Sequence, residues 1–309
     1  MFFAASLCLY SVVFAPFRAS RMLNFLAISN ELIDDTEDVN NQLQQQFSFI
    51  DQYEQTVAWV RRRLIRPKAA VWTADLDEPH RSDWSQFNQT SLLLQYHLHY
   101  KTNGRFLEVG AMDGELFSNS LALERHYNWT GLLIEAERAP FERLRRKRPN
   151  AFLLNACLSD FILPTKLHIW SGNVLGVAGA NLLKESHYQI IKPHEEQEVW
   201  CVPLQAVLDA VGWSTFDLMS IDVEGHEQRV LASVDWRRTR TRLLQVECAA
   251  CKTSHVHRHR LVDSLRRRYA FQHVDTFYGD DGPIDFIFTP ALQSGVNHIR
   301  PLNKSRYTP

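Results

Sequence analysis

The sequence predicts an α/β fold, a three-layer sandwich around a mainly parallel seven-stranded sheet. From residue 105 onward, short apolar runs alternate with amphipathic helical segments, which is the βαβ rhythm of a parallel sheet covered by helices on both faces. Residues 271–277 and 284–288 flank a turn-rich connection and predict a closing antiparallel pair. The strand candidates of the parallel part are residues 106–109, 131–134, 152–156, 216–221 and 243–246.

The composition is that of an ordinary globular protein. The chain has 309 residues, of which 45% are hydrophobic, and 34 Lys and Arg against 35 Asp and Glu give a formal net charge of −1. No overall field therefore favours nucleic acid. The arginine-rich runs 143–148 and 237–242 lack interleaved aromatic residues, so we interpret them as solvated helix faces and expect no nucleic-acid partner.

The chain divides into four predicted regions. Residues 1–28 form a hydrophobic signal-anchor or signal segment, 29–90 a stalk with helices, 91–290 the compact domain and 291–309 a tail. Residues 2–17 carry no charged side chain, which predicts a membrane-directed helix. A cleaved signal peptide fits less well because no basic residue precedes the apolar run.

The orientation in a membrane stays open. Arg18 and Arg21 follow the apolar run, and by the positive-inside rule they favour a cytosolic domain. Three N-glycosylation sequons, at Asn88, Asn128 and Asn303, instead suit a lumenal domain.

The five cysteines are too few and too irregularly spaced for a disulfide scaffold, and they do not settle the redox compartment.

The run 108–114 (EVGAMDG) follows an apolar strand and precedes a helix expected to start near Ser118. Gly110 lets the backbone turn sharply and approach a ligand, and Gly114 relieves crowding behind the loop. The spacing differs from the G-x-G-x-x-G of dinucleotide enzymes. Glu108 suits a cationic ligand better than a pyrophosphate. The alternative is an ordinary strand-to-helix turn that needs glycine.

Two further acidic residues follow the next two strands. Glu135 ends the run 132–135, about twenty residues beyond the glycine loop, where a carboxylate accepts both hydroxyls of a ribose. Asp160 follows the third strand, where it is a candidate for an adenine amino group, with Cys157 or Leu158 beside the ring. A plain turn-forming aspartate explains Asp160 equally well.

The run 217–227 (DLMSIDVEGHE) is an apolar strand with three acidic residues and a histidine at its C-terminal end. Ligands of open α/β sheets bind at that edge. Asp222 is expected to face the reacting centre, and Glu224 or His226 to act as a general base or, with a carboxylate partner, to ligate a divalent ion. Acidic enrichment at a helix start explains Glu227 well and Asp222 poorly.

No metal site is assigned from the sequence. Cys248 and Cys251 precede three histidines within residues 255–259, but the spacing is not that of a zinc finger. A disulfide or two free thiols is the preferred interpretation.

Three motifs in order resemble the FkbM-type methyltransferases: residues 106–114 (FLEVGAMDG), 131–135 (GLLIE) and 221–227 (IDVEGHE). The resemblance covers residues 104–289. Further details are similar to the animal Star-like branch of that family: Asp113 and Glu115 around the second glycine, the Ser-Asn-Ser run 118–120, and Ser220 where bacterial members more often carry lysine.

The resemblance implies a class I, S-adenosylmethionine-dependent methyltransferase fold with methyl transfer to a hydroxyl, on a small molecule or a glycan. It implies S-adenosylmethionine as the cofactor. The residues expected at the donor are Glu108, Gly110, Ala111, Gly114, Glu135 and Asp160, and those expected at the acceptor are Asp222, Glu224 and His226.

The Star-like details imply a different class of function as the alternative. They imply a single-pass membrane protein of the endoplasmic reticulum and Golgi that handles secretory cargo, with a vestigial pocket. Binding of S-adenosylmethionine distinguishes the two hypotheses.

Overall fold

The computed structural model describes residues 36–68, 74–171, 195–279 and 282–291. The chain divides into two compact units, Met1–Gln52 and Tyr53–Pro309. Residues 53–90, which the sequence interpretation placed before the compact domain, are part of the second unit. No helix in the described ranges is long and apolar enough to cross a membrane, and the predicted anchor at 1–28 lies outside them.

The helices of the described residues begin with α1, which is longer than the sequence predicted. The sequence predicts a helix over residues 52–63, ending before Pro67, yet α1 begins at Thr36. Residues 36–63 contain no glycine or proline and are rich in Gln, with three Arg at the C-terminal end, so nothing in this stretch interrupts a helix. The helices are α1 (Thr36–Arg63), α2 (Gln89–Leu93), α3 (Leu121–Tyr127), α4 (Arg138–Lys147), α5 (Leu204–Val211), α6 (Glu227–Ala232) and α7 (His255–Tyr269), with a π-helical turn at Leu94–Leu98 and a 3-10 turn at Ala249–Cys251.

The predicted mainly parallel sheet of seven strands is confirmed. Its order is β3-β2-β1-β7-β8-β10-β9. The first five of these are mutually parallel, and β10 is antiparallel to both of its neighbours. The strands of this sheet are β1 (Arg105–Val109), β2 (Thr130–Glu135), β3 (Phe152–Asn155), β7 (Thr215–Ile221), β8 (Arg240–Glu247), β9 (Phe271–Gly279) and β10 (Gly282–Pro290).

The strand order reverses direction between β1 and β7. The chain moves outward from β1 through β2 to β3, and then returns to β7 and moves the other way through β8. Because parallel crossovers are right-handed, α3 and α4 cover one face and α6 and α7 the other. The crevice at such a reversal, outside the carboxyl ends of the strands, is where open α/β sheets bind ligands.

A second sheet of three strands is formed by the part of the chain between β3 and α5. It has the order β4-β6-β5, made of β4 (Cys157–Leu158), β5 (Thr165–Ser171) and β6 (Glu195–Val202). The sequence itself predicts strands at residues 166–170 and 199–202, and these lie in β5 and β6. The polar excursion between them, residues 172–194, lies outside the described residues.

The main apolar cluster fills the space between the sheet and the helices on one face. Phe106, Leu133, Leu218 and Leu243 come from four adjacent strands, and Leu144 comes from α4. All five are buried. Each such side chain contributes about 1.5–3 kcal/mol relative to an exposed one, so this contact holds α4 against the sheet.

The interpretation of residues 143–148 as a solvated face is wrong for two of its members. Lys147 is 4% exposed and Arg148 is fully buried. Lys147 Nζ lies 2.6 Å from Asp77, 2.8 Å from Asp113 and 2.8 Å from Glu115. These contacts satisfy the buried charge, because each carboxylate offers hydrogen-bond acceptors to the ammonium.

Arg148 is the centre of a second buried network. Its guanidinium donates to Glu124 through Nε at 2.9 Å and Nη2 at 2.6 Å. It also donates to the Gly114 carbonyl at 3.0 Å, to Ser118 Oγ at 3.1 Å and to Ser120 Oγ at 3.0 Å. The side chain that caps the C-terminal end of α4 therefore holds three residues of the segment between β1 and α3.

Replacing Arg148 is expected to destabilise the protein strongly. Arg148→Leu leaves the Glu124 carboxylate buried without its cation, and breaking a buried ion pair in this way costs about 3–5 kcal/mol. Urea denaturation measures the loss. Arg145→Leu is the matched control, because Arg145 and its partner Glu142 are each 48% exposed and an exposed pair contributes less than about 1 kcal/mol. Equal losses in the two variants would contradict the assigned role.

Candidate active site

One cleft lies at the carboxyl ends of β1, β2, β7 and β8. Among its lining residues are Gly110 after β1, Glu135 at the end of β2, and Asp222, Glu224 and His226 after β7. The structure thus brings together six of the nine residues expected from the sequence, the sixth being Glu108.

The other three expected residues do not line the cleft. Ala111 is buried, and its N–H donates to the Ile134 carbonyl at 3.1 Å. Gly114 lies against α4, where a Cβ would sit 2.5 Å from Leu144 and 2.6 Å from Arg148. Asp160 is exposed, and its carboxylate lies 3.5 Å from Arg229. The chain leaves the cleft edge after β4, which carries Asp160 outward.

Gly110 stands where the backbones of two loops meet. Its φ is +80°, and a Cβ there would lie 1.9 Å from the Asp222 carbonyl oxygen. Its N–H donates to the Ile134 carbonyl at 3.0 Å, and the Asp222 N–H donates to the Val109 carbonyl at 3.1 Å. Only glycine fits this position, because any side chain would collide with backbone.

Glu108 lines the cleft, but its carboxylate is engaged by the loop itself. It accepts hydrogen bonds from Ser118 Oγ at 3.0 Å, from the Asn119 N–H at 2.7 Å and from Ser120 Oγ. Burial raises the pKa of this carboxyl, and nearby Arg148 opposes the rise. These bonds explain why α3 begins at Leu121 and not near Ser118: the three preceding residues turn toward Glu108.

Glu135 is held by backbone at the opposite side of the glycine loop. Its Oε2 accepts from the Met112 N–H at 2.8 Å and its Oε1 from the Glu137 N–H at 2.7 Å. Burial, together with repulsion from Glu137, raises the pKa of this carboxyl to about 7. Each carboxylate oxygen can accept more than one hydrogen bond, so Glu135 keeps acceptor capacity for a ligand.

The β7 end of the cleft is crowded with carboxyl groups. Burial and the neighbouring acids Glu224 and Asp285 raise the pKa of Asp222 well above its usual range. Burial and Glu227 raise the pKa of Glu224 to about 7. Glu224 also has a left-handed backbone, with φ +54°, a conformation that costs a non-glycine residue free energy and is typical of functional sites.

His226 is half-buried beside this group. Burial and the positive charge of Arg229 lower its pKa, and Asp160 opposes the change. The imidazole is therefore neutral at pH 7, which leaves a ring nitrogen able to accept a proton.

The sequence interpretation did not assign several polar residues of the cleft to the site, and four of them lie near its acidic end. Asn119, Glu247, Lys252 and Asp285 all line it. Glu247 ends strand β8, so the strand-end rule that identified Glu135 was sufficient to find it. Asp285 lies inside β10, directly opposite Glu247 in the antiparallel register. No sequence signal separates it from other strand residues.

The described residues contain two disulfides. Cys157 pairs with Cys201 and Cys248 pairs with Cys251. Of the two alternatives preferred at Cys248 and Cys251, a disulfide or two free thiols, the structure has the disulfide. In the described ranges no group of three or more His, Cys, Asp or Glu side chains is arranged to hold a metal ion.

The comparisons with known proteins identify the family. The model of the methyltransferase FkbM domain matches residues 108–275, which is more than half of the chain. The structure is an α/β domain, and its cleft lies where the strand order of the sheet changes direction. The chain belongs to the FkbM methyltransferase family, and the predicted family is thus confirmed. The comparison with curated proteins finds no significant match.

Several solved methyltransferase structures are similar to the chain. An O-methyltransferase from Bacillus cereus in complex with SAH is 11% identical, with 79% of this chain and 91% of that chain covered and a TM-score of 0.40. A methyltransferase from Pyrococcus furiosus is 12% identical, covering 80% and 99%, with a TM-score of 0.38. Aeropyrum pernix fibrillarin with bound S-adenosyl-L-methionine is 12% identical, covering 67% and 76%, with a TM-score of 0.37.

Proposed function

We propose that this chain binds S-adenosylmethionine in the cleft and transfers its methyl group to an acceptor hydroxyl, on a small molecule or a glycan. One observation carries the proposal: a single cleft contains the Gly110 turn, the buried Glu135 and the acidic β7 end with Asp222. Membership of a methyltransferase family supports the same reaction.

The side chains of the cleft fit the chemistry of this cofactor. Glu135 would accept hydrogen bonds from the two ribose hydroxyls. Ala156, Leu158 and Ile169 form an apolar wall beside it that suits an adenine ring. Gly110 lets the loop after β1 pack directly against the Asp222 backbone at the edge of the cleft, and the carboxylates at the β7 end attract positive charge.

The residues of the β7 end would handle the proton of the acceptor. Bound S-adenosylmethionine would supply an electrophilic methyl group. When the bond between sulfur and that methyl carbon breaks, the sulfonium sulfur becomes a neutral thioether. Glu224 would take the hydroxyl proton as the acceptor oxygen bonds to the methyl carbon. A carboxyl group with a pKa near 7 suits this role, because much of it is ionised at neutral pH and it is still a stronger proton acceptor than an ordinary carboxylate. His226 and Asp222 lie in the same cleft, where they would orient the acceptor. Proximity supplies most of the remaining rate enhancement.

Calorimetry with S-adenosylmethionine tests the proposed donor site. We expect the full chain to bind the ligand, and Glu135→Ala to weaken binding at least about 30-fold, because hydrogen bonds to a charged acceptor are worth about 2 kcal/mol. Glu142→Ala, which removes an exposed carboxylate from α4, should leave affinity unchanged.

Thermal unfolding of each variant establishes that the protein is folded, since Glu135 also binds two backbone N–H groups. No heat from the unmodified chain at millimolar ligand contradicts the proposal. That result favours the cargo-binding alternative with a vestigial pocket.

The pH dependence of methyl transfer tests the role of Glu224. An acid with a pKa near 7 is protonated below pH 6 and ionised above pH 8, so a general base predicts a rate that rises across this interval. Glu224→Gln should lower kcat by about 10²–10⁴-fold and remove the rise, with donor affinity unchanged. Transfer from tritiated S-adenosylmethionine to a panel of free mono- and oligosaccharides measures both effects. An unchanged pH profile in the variant would assign the base to another group.

We also propose that the protein belongs to the animal Star-like branch and resides on the membranes of the endoplasmic reticulum and Golgi. Asp113, Glu115 and Ser220 support the branch. The two disulfides support an oxidising compartment, because such bonds persist there and are rare in the cytosol. The sequon residues Asn88 and Asn128 are both exposed, so a glycan fits at each.

Glycan mapping tests the lumenal placement of the domain. Peptides of the full chain from a eukaryotic secretory host should carry N-glycans at Asn88 and Asn128, and Asn88→Gln should remove one mass increment. Asn103→Gln is the control, because Asn103 is exposed and outside a sequon. An unglycosylated protein from the membrane fraction would count against a lumenal domain.

A further inference from the structure

The cleft contains more acidic side chains than the donor accounts for. Among its described lining residues are seven carboxyl side chains and one lysine, Lys252, with no arginine. The carboxyl residues are Glu108, Glu135, Glu137, Asp222, Glu224, Glu247 and Asp285. Two of these, Glu247 and Asp285, face each other across β8 and β10, and like charges in direct opposition destabilise a sheet.

Two buried oxygen atoms in the same cleft lack a hydrogen-bond partner among the described residues. They are Oε2 of Glu247 and Oδ1 of Asn119. Both residues line the cleft and each is 8% exposed. A buried polar atom without a partner costs about 1–3 kcal/mol, and such atoms in a native protein call for a ligand or an ordered solvent molecule.

Asn119 Oδ1 is an acceptor, and Glu247 Oε2 is an acceptor when its carboxyl is ionised, a form that a bound cation stabilises. Asn119 already donates through Nδ2 to Ser220 Oγ at 3.2 Å, which assigns Oδ1 as the free atom. A carboxylate oxygen and an amide oxygen together require hydrogen-bond donors. A protonated amine supplies up to three donors and a positive charge from a single atom.

The charges around Glu247 favour a cation at this end of the cleft. Burial, followed by repulsion from Asp222, Glu224 and further acids, raises the pKa of Glu247 well above its usual range. Asp285 is engaged by Gln89, whose Nε2 donates to it at 3.0 Å. Lys252 offsets only part of the carboxylate charge, and a bound cation would relieve the remaining repulsion.

A divalent metal ion is the competing cation. It would need several carboxylate oxygens converging on one point at about 2–2.6 Å. No group of three or more acidic, histidine or cysteine side chains in the described residues has such an arrangement. A nitrogen cation needs hydrogen-bond acceptors and no fixed coordination geometry, and Glu247 and Asn119 offer two such oxygens in one cleft.

We propose that the acceptor recognised by this site carries a protonated primary amine close to its methylated atom, and that Glu247 and Asn119 bind that amine. The inference rests on the proposed methyl transfer and adds the chemical class of the acceptor. An amino sugar presents this group beside the hydroxyls of its ring.

Matched pairs of probes test the amine. The first pair is a tetramer of glucosamine and its fully N-acetylated counterpart. The second pair is free glucosamine and N-acetylglucosamine. Calorimetry with the full chain saturated with S-adenosylhomocysteine, in the presence of EDTA, should show at least tenfold tighter binding of one cationic probe than of its acetylated partner.

Variants at Glu247 connect that preference to the site. Glu247→Gln removes a charge from a repulsive cluster, so folding should be retained, and it should weaken binding of the cationic probe at least tenfold. Glu247→Lys should abolish the preference by placing a cation at the same position. Glu142→Gln, on the exposed face of α4, should change nothing.

The outcomes separate this inference from the proposed function. Failure of S-adenosylhomocysteine to bind overturns the donor site itself. Normal binding of that ligand with equal affinity for the members of both probe pairs overturns only the amine. A preference that persists in Glu247→Gln, or one that appears only when a divalent ion replaces EDTA, also overturns it.

Discussion

The Arg148 guanidinium, just after the C-terminal end of α4, binds the segment that connects β1 to α3 beside the cleft. The segment between β1 and α3 is strained, because Met112 and Phe117 have positive φ angles of 48° and 60° that cost non-glycine residues about 1–3 kcal/mol each. Arg148 binds the Gly114 carbonyl and two serine hydroxyls of that segment, and it opposes the effect of burial on Glu108. With this cation in place, Glu108 can organise Asn119 from the other side. The shape of the donor loop therefore depends on a residue that does not line the cleft.

Crowded carboxyl groups set the electrostatic character of the cleft. Folding brings Asp222, Glu224, Glu247 and Asp285 to adjoining strand ends, and burial raises the pKa of each. The cost of this arrangement falls when some of these groups hold protons, and it falls further when a cation binds. Affinity for a cationic ligand is thus coupled to the protonation of the whole group. The strained backbone of Glu224 lies within the same cluster, so geometry and charge are concentrated at one place.

Much of this arrangement was predictable from the sequence, since one rule covers it: parallel strands end at a common edge. That rule placed Glu108, Glu135 and Asp222 at the edge where the cleft lies, and all three line it, whereas Asp160 is exposed and does not line it. The burial of Arg148 was not predicted from composition, yet a signal existed. Phe141, Leu144 and Arg148 follow the i, i+3, i+7 spacing of one helix face, which places Arg148 on the buried side of α4. Asp285 had no comparable signal, since its position depends on the register of β10 against β8.

The distribution of polarity in the cleft favours one orientation of the proposed donor. The wall at Ala156, Leu158 and Ile169 is apolar, and the end at Asp222 and Glu247 is acidic. A neutral adenine loses little when it leaves water for the apolar wall, whereas a sulfonium or an ammonium gains from nearby carboxylates. The reverse orientation would bury a cation against apolar side chains and leave the carboxylates unpaired. The apolar wall includes β4, which the disulfide from Cys157 joins to Cys201 on β6. Strand β4 also pairs with β6 through backbone hydrogen bonds. The smaller sheet therefore holds the apolar wall that would contact the adenine. The larger sheet carries the carboxyl groups that would contact the sulfonium or the ammonium.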